Sequence, residues 1–72
     1  MEVRSQDPGT LLRLAAIEEK VADKEACAAQ GAASVGRSEL AEGLRRLARR
    51  SRVRSLKFQA QAMSSALQGW TR

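Results

Sequence analysis

The chain has 72 residues and a net charge of +5, and it contains no His, one Cys, one Phe, one Trp and one Pro. Without His and with only Cys27, the chain by itself can build neither an internal disulfide nor a Cys/His zinc site, and the thiol has no imidazole to serve as its base. We therefore expect no enzymatic activity, no metal and no other cofactor. Ala alone supplies 13 residues, and Leu, Ile, Val and Phe together supply 14, so the core must be thin and association is the expected source of added stability.

No uninterrupted apolar run exceeds four residues, whereas a membrane-spanning helix needs about 20. The first eight residues have neither the basic-then-apolar order of a secretory signal nor the acid-free pattern of a transit peptide. These patterns predict a chain with no membrane span and no cleaved targeting segment. We expect an intracellular, most simply cytoplasmic, protein, while a nuclear location and export by an uncleaved signal stay open.

Charge is divided unevenly along the chain. Residues 1–44 carry five basic and eight acidic side chains, and residues 45–72 carry eight basic and no acidic ones, which gives the two parts charges of −3 and +8. Opposite charges attract, so this division predicts contact between the two parts. It also predicts that the second part faces an acidic partner.

A first helix is predicted over 8–30. Asp7 can accept hydrogen bonds from backbone N–H groups of the first turn, and Pro8 at the first helical position loses no hydrogen bond. Gly31 is expected to end the helix in the left-handed conformation, and residues 1–6 are expected to form a flexible tail. Apolar side chains recur along this helix at helical spacing, namely Leu14, Ile17, Val21 and Ala28.

Residues 31–37 are predicted to connect this helix to a second one over 38–69. Ser38 is the expected N-cap, and Glu39 follows it where the positive end of the helix dipole favours an acid. Only Gly43 interrupts the helix-forming composition, at a cost of roughly 1 kcal/mol relative to Ala. Residues 1–72 are thus predicted to form one small helical domain.

The apolar pattern of the second helix changes phase near residue 51. Its first part places Leu40, Leu44 and Leu47 on one face, and its later part has a stripe rotated by about 180° at spacings of three and four: Val53, Leu56, Ala60, Met63 and Leu67. We favour an all-α helical hairpin with one long second helix, in which the stripe of the first helix packs on the Leu40 face and the later stripe points outward. The alternative is a three-helix bundle broken near residue 51, with the later stripe in its core.

The later stripe is a candidate partner-binding surface, with Trp70 just beyond it. Met side chains adapt to many contacts, and Trp is a frequent interface anchor. We therefore predict that another protein, or a second copy of this chain, binds through Val53, Leu56, Ala60, Met63, Leu67 and Trp70.

Basic side chains crowd the middle of the second helix: Arg45, Arg46, Arg49, Arg50, Arg52 and Lys57. A helix projects them over a broad face that suits an acidic protein or the phosphates of nucleic acid. Sequence-specific recognition is not indicated, because the chain has no helix-turn-helix spacing, zinc module or interleaved aromatic residues. The third interpretation is a solvent-exposed basic face that partly neutralises the acidic residues of the first helix. Of these acidic residues, Glu18 and Glu25 lie beside the apolar stripe and are expected to contact Arg side chains.

The length, the two-helix pattern and the ending Trp70-Thr71-Arg72 after an acid-free helix resemble the small helical-hairpin subunits and cochaperones of bacterial type III secretion machines. The plan equally resembles the short coiled-coil subunits of eukaryotic assemblies. The segment from Gly31 to Ser38 lacks the Pro that is typical of the interhelical turn in the needle subunits. The resemblance implies a helical component of a larger assembly.

Together these features predict a non-enzymatic interaction subunit, adaptor or small chaperone that acts by coiled-coil-like helix pairing within an oligomer or hetero-complex. Non-specific binding of nucleic acid by the basic helix is one alternative. A role as a small component or cochaperone of a type III secretion apparatus is the other.

Overall fold

The computed structural model describes residues 7–70, apart from the side chain of Trp70. Helix α1 spans Pro8–Ser34 and helix α2 spans Ser38–Trp70, and the two pack against each other in a body of 56 × 24 × 14 Å. The predicted helical hairpin is confirmed. Because α2 is continuous through Ser51, the three-helix alternative is wrong. The predicted tail over 1–6 lies outside the described residues.

Helix α1 begins at Asp7 and Pro8, as predicted. Asp7 is extended, with φ −72° and ψ 157°, and its carboxylate accepts a hydrogen bond of 3.1 Å from the Thr10 N–H. Its carbonyl accepts one of 3.1 Å from the Leu11 N–H. Hydrogen bonds from the side chain of Thr10 first, and from its backbone N–H second, lower the pKa of Asp7 below the ordinary value of 3.8. An ionised carboxylate therefore caps the helix.

The end of α1 differs from the prediction. The helix continues through Gly31 to Ser34, and the left-handed conformation is adopted instead by Gly36, with φ 83°. Glycine ends a helix only where the following N–H groups can bond back to the last carbonyls. That condition is met at Gly36, whereas Gly31 is an ordinary helical residue.

Two hydrogen bonds close the turn at Gly36. Its N–H donates to the carbonyl of Ala33 at 3.1 Å, and the N–H of Arg37 donates to the carbonyl of Ala32 at 2.8 Å. These bonds satisfy carbonyls that a helix end leaves free. The Arg37 carbonyl then accepts from the Ala41 N–H at 3.0 Å, so Arg37 holds the N-cap position that was predicted for the residue after it. The connection is confined to 35–37.

The two helices meet along a seam of small side chains. Most of its members are Ala or Ser, and Ala22, Ser51 and Ser55 are at most 1% exposed. Together with half-buried residues between them, the seam positions alternate at spacings of three and four from 11 to 32 and from 41 to 65. The buried members are Leu11, Ala15, Ala22, Ala29 and Ala32 on α1, and Ala41, Ala48, Ser51, Ser55 and Ala62 on α2.

This seam corrects the prediction that large apolar residues hold the hairpin. Of the six side chains expected to do so, only Leu14 and Leu44 are half-buried, and Ile17 is 57% exposed. The others are exposed as well: Val21, Leu40 and Leu47. Small side chains let two helices pack closely along their contact line, and the larger side chains beside that line then project to the flanks of the pair.

A polar cluster lies at the centre of the seam. The Ser51 hydroxyl donates to the Glu25 carboxylate at 3.1 Å and accepts from the Arg54 guanidinium at 3.3 Å. Arg54 also pairs with Glu18 at 3.2 Å. The predicted contact between Glu18 and an Arg of the second helix is thus present, while Glu25 meets a serine instead. Among the side chains of residues 7–69, no buried N or O atom lacks a hydrogen-bond partner.

Substitution of two glycines by Ala should have opposite effects. Gly36→Ala places a Cβ at φ 83° and should lower the free energy of unfolding by about 1–2 kcal/mol. Gly31→Ala adds a Cβ in open space inside α1 and should raise it by roughly 0.5–1 kcal/mol. Urea denaturation followed by circular dichroism measures both changes. Effects of the same sign would contradict the assignment of the turn.

Acid should weaken the fold through Asp7. Because its pKa is lowered in the folded chain, the stabilisation is present above the ordinary value of 3.8 and is lost as the pH falls through the lower folded value. Asp7→Asn keeps a capping oxygen that does not titrate. Melting temperatures measured from about pH 6 down to about pH 2 should therefore show the advantage of the wild type over this variant shrinking in acid. A difference that stays constant with pH would count against a charged cap.

Ser51→Ala removes the hydroxyl that joins Glu25 to Arg54. The half-buried Glu25 carboxylate then loses a donor, so the free energy of unfolding should fall by about 1–3 kcal/mol. Ser64→Ala, on the exposed side of the same helix, is the matched control and should change it by less than about 0.5 kcal/mol. Adding Glu25→Met to Ser51→Ala should recover part of the loss, because no polar group is then left unpaired. Equal stabilities of the two serine variants would show that the cluster does not stabilise the seam.

Candidate functional site

The outward face of α2 carries the predicted partner-binding residues, here called the α2 stripe: Val53, Leu56, Ala60, Met63 and Leu67. Four of them follow a buried seam residue by five positions, and Met63 follows half-buried Phe58 in the same way. Five residues correspond to about 140° of rotation around a helix with 3.6 residues per turn. The α2 stripe therefore repeats the spacing of the seam on the side of α2 that faces away from α1.

The α2 stripe is exposed along its whole length. Val53 is 50% exposed, Leu56 61%, Met63 64% and Leu67 59%, and Ala60 between them is exposed as well. Trp70, the predicted sixth member, is the last residue of α2, and its side chain lies outside those described. The structure thus brings the other five predicted residues together in one apolar row.

A groove beside the α2 stripe extends the apolar surface onto α1. It has a volume of ≈ 480 Å³ and is lined on α2 by Met63 and Ala66, and on α1 by Leu12 and Ala16. Leu12, which is off the predicted stripe of α1, is 53% exposed. The groove exists only because the seam places the start of α1 against the later part of α2, so no pattern within either helix alone could have predicted it.

All six predicted basic residues are exposed on α2. Two of them pair with acids: Arg52 with Asp23 of α1 at 3.3 Å, and Arg46 with Glu42 of its own helix at 3.7 Å. These pairs lie largely in solvent, where an ion pair contributes at most about 1 kcal/mol. The predicted attraction between the acids of the first helix and the arginines of the second is thus realised at Arg52, and at Arg54 in the polar cluster.

The other four predicted basic residues of α2 have no acidic side chain within ion-pair distance among residues 7–70: Arg45, Arg49, Arg50 and Lys57. Three of them border a shallow depression around Val53, which is the first residue of the α2 stripe. After Lys57, residues 58–70 carry no charged side chain. Helix α2 therefore has a basic half and an uncharged half, and the α2 stripe runs from the first into the second.

Other chemistry-bearing groups are few in the described part of the chain. No group of three His, Cys, Asp or Glu side chains within 7–70 could hold a metal ion, and Cys27 is exposed on α1. Neither described helix combines the length and the hydropathy that crossing a membrane requires. The α2 stripe with its groove and the four unpaired cations of α2 thus remain to be explained, as do the exposed apolar residues on the flanks of the hairpin.

The resemblance to type III secretion subunits stays a prediction. Comparison with protein-family models, with curated proteins and with solved structures returned no match for this chain.

Proposed function

We propose that this protein is a non-enzymatic helical interaction subunit whose α2 stripe packs against a helix of a partner protein. One observation carries the proposal: Ala and Ser fill the inside of the hairpin, while Leu56 and Met63 are more than 60% exposed. A chain that only had to fold would gain by placing its large apolar side chains inside. Here they are left on the outside, in a row with helical spacing.

Association through the α2 stripe has a substantial energetic gain available. Full burial of a Val, Leu or Met side chain is worth about 1.5–3 kcal/mol. Four such side chains keep half or more of their surface in water, so covering them should contribute roughly 3–6 kcal/mol in total. The partner best suited to a row of this spacing is an amphipathic helix, since its own apolar residues then interdigitate with the row.

The unpaired cations of α2 favour one orientation of the partner helix along the α2 stripe. Arg49 and Arg50 lie at the N-terminal end of the α2 stripe, and the other end has no charged residue. Beside the other end, Glu19 of α1 lines the groove, so a partner helix meets basic residues of α2 at one end of the α2 stripe only. Its acidic residues, or the negative end of its helix dipole, are attracted to that end.

The same cations support a second candidate function, non-specific binding of nucleic acid. Arg and Lys side chains without acidic neighbours can neutralise phosphates, and such binding weakens steeply as salt increases. It does not require the α2 stripe. The two candidate functions therefore differ in the residues on which they depend.

Leu56→Asp combined with Met63→Asp should abolish binding of the protein partner and leave the hairpin folded. Both side chains are exposed, so helicity by circular dichroism should be unchanged and the free energy of unfolding should fall by no more than about 1 kcal/mol. Binding is measured by capture of tagged chain from cell extract at moderate salt after nuclease treatment. The retained protein is then identified by mass spectrometry and its affinity is measured in purified form.

Two control variants separate the alternatives. Ile17→Asp introduces the same change at an equally exposed residue of α1 and should leave binding intact. Arg49→Gln with Arg50→Gln should lower the affinity for nucleic acid and make that affinity less dependent on salt. Binding of an apolar protein partner should persist. The proposal is contradicted if the Leu56 and Met63 variant unfolds, because the α2 stripe is then core, or if nuclease treatment removes everything that the wild type binds.

A further inference from the structure

The spacing of the α2 stripe is symmetric about Ala60 to within one residue. Val53 and Leu67 lie seven residues to either side of it, and Leu56 and Met63 lie four and three residues away. A helix turned end for end about Ala60 therefore presents nearly the same row: Val53 and Leu67 exchange places, and Leu56 and Met63 do so with an offset of one residue. We propose that the α2 stripe binds the α2 stripe of a second copy of this chain, in antiparallel orientation, across a two-fold axis at Ala60. This inference rests on the proposed function and names its partner.

Each large side chain of the row meets another one in this arrangement. Val53 is level with Leu67 of the second copy, and Leu56 is one residue, about 1.5 Å along the axis, from the level of Met63. Ala60 meets its own counterpart at the axis, where two identical side chains must share one place. The smallest side chain of the row thus lies at the position where the two helices leave the least room. A two-fold contact requires this kind of self-complementarity.

The charges of α2 favour the antiparallel orientation. Residues 58–70 are uncharged, and the last turn of α2 contains no basic residue to complement the negative end of its helix dipole. With Ala60 on the axis, Arg50 of one copy is level with residue 70 of the other, and Arg49 lies one residue beyond. Each copy therefore supplies the cations that stabilise the C-terminal end of the helix facing it.

A parallel pair would place like charges side by side at Arg49, Arg50 and Lys57. In the antiparallel pair, the two Lys57 residues are about 9 Å apart along the helix axis, which is close to the distance over which physiological salt screens charge. An acidic helix of another protein would also suit the cations. Self-pairing in addition fits the nearly symmetric spacing of the row.

A stable dimer needs more buried surface than the α2 stripe alone provides, so the groove must take part in the contact. A standard interface buries about 800 Å² on each partner, and the chain exposes 5500 Å² in all. The two α2 helices overlap over residues 50–70, about 30 Å, and a strip as wide as a helix gives roughly half the required area. The groove between α1 and α2 supplies more, because Leu56 of one copy lies within one residue of the level of Met63 of the other, which lines that groove together with Leu12.

Cysteine crosslinking tests the geometry. In a Cys27→Ser background, Ala60→Cys should form a disulfide-linked dimer under mild oxidation, because this residue meets itself at the axis. Val53→Cys and Leu67→Cys should each crosslink with themselves about tenfold more slowly or less, since their own counterparts are too far apart for a disulfide. An equal mixture of these two variants should form the mixed dimer.

Sedimentation velocity measures the association itself. The wild type should give twice the 7.8 kDa mass of one chain. Leu56→Asp with Met63→Asp should weaken the dimer by about 100-fold or more, whereas Ile17→Asp should leave it unchanged. A dimer that persists in the Leu56 and Met63 variant would place the contact elsewhere and overturn the proposal.

Two further results would overturn it in different ways. Self-crosslinking of Val53→Cys or Leu67→Cys as fast as Ala60→Cys would exclude the antiparallel pair. A wild type that stays monomeric up to about 1 mM would exclude self-pairing. If that monomer still binds another protein through Leu56 and Met63, only the identity of the partner is wrong. If substitution at these two residues affects no protein contact, the proposed function is wrong as well.

Discussion

The hydroxyl of Ser51 ties the two helices to one alignment. It is fully buried, and it is bonded to Glu25 of α1 and to Arg54 of its own helix. Sliding one helix along the other by a turn would separate Ser51 from Glu25 and Arg54 from Glu18, and an unsatisfied buried polar group costs about 1–3 kcal/mol. The rest of the seam is mostly Ala, which gives successive turns nearly the same shape. The polar cluster is therefore what distinguishes the observed alignment from its neighbours.

A seam this narrow also determines where the larger side chains lie. Because Ala and Ser suffice to join the helices, Leu12, Ile17 and the α2 stripe remain on the outer faces. Helix α2 thus carries two rows with the same spacing, one for folding and one, we propose, for association. The alignment set at Ser51 also builds the groove, since it brings Leu12 beside Met63. A change in the seam would therefore alter the outer surface without touching any residue exposed there.

Much of this could be predicted from local rules. Asp7 and Pro8 have the chemistry of a helix start, and the change of apolar phase near residue 51, without a strong breaker, was enough to predict a continuous α2 with an outward stripe. The seam could not be predicted from side-chain size, because the largest apolar residues were expected inside. The signal that would have found it is the recurrence of small residues every seven positions: Ala15, Ala22 and Ala29 on α1, and Ala41, Ala48, Ser55 and Ala62 on α2. The choice between Gly31 and Gly36 depends on hydrogen bonds of later residues, which composition does not reveal.

The turn at Gly36 favours packing of the two helices within one chain, which the seam by itself does not require. A seam of Ala and Ser is the same whether its two helices belong to one chain or to two, so nothing in the seam makes the chain fold back on itself. If residues 35–37 were helical, residues 8–70 would form a single rod of about 95 Å. Two such rods could exchange their halves in a domain-swapped pair that keeps every seam contact. The left-handed Gly36, together with the hydrogen bonds that Gly36 and Arg37 donate to the end of α1, favours the turn over that rod and therefore a hairpin closed within one chain.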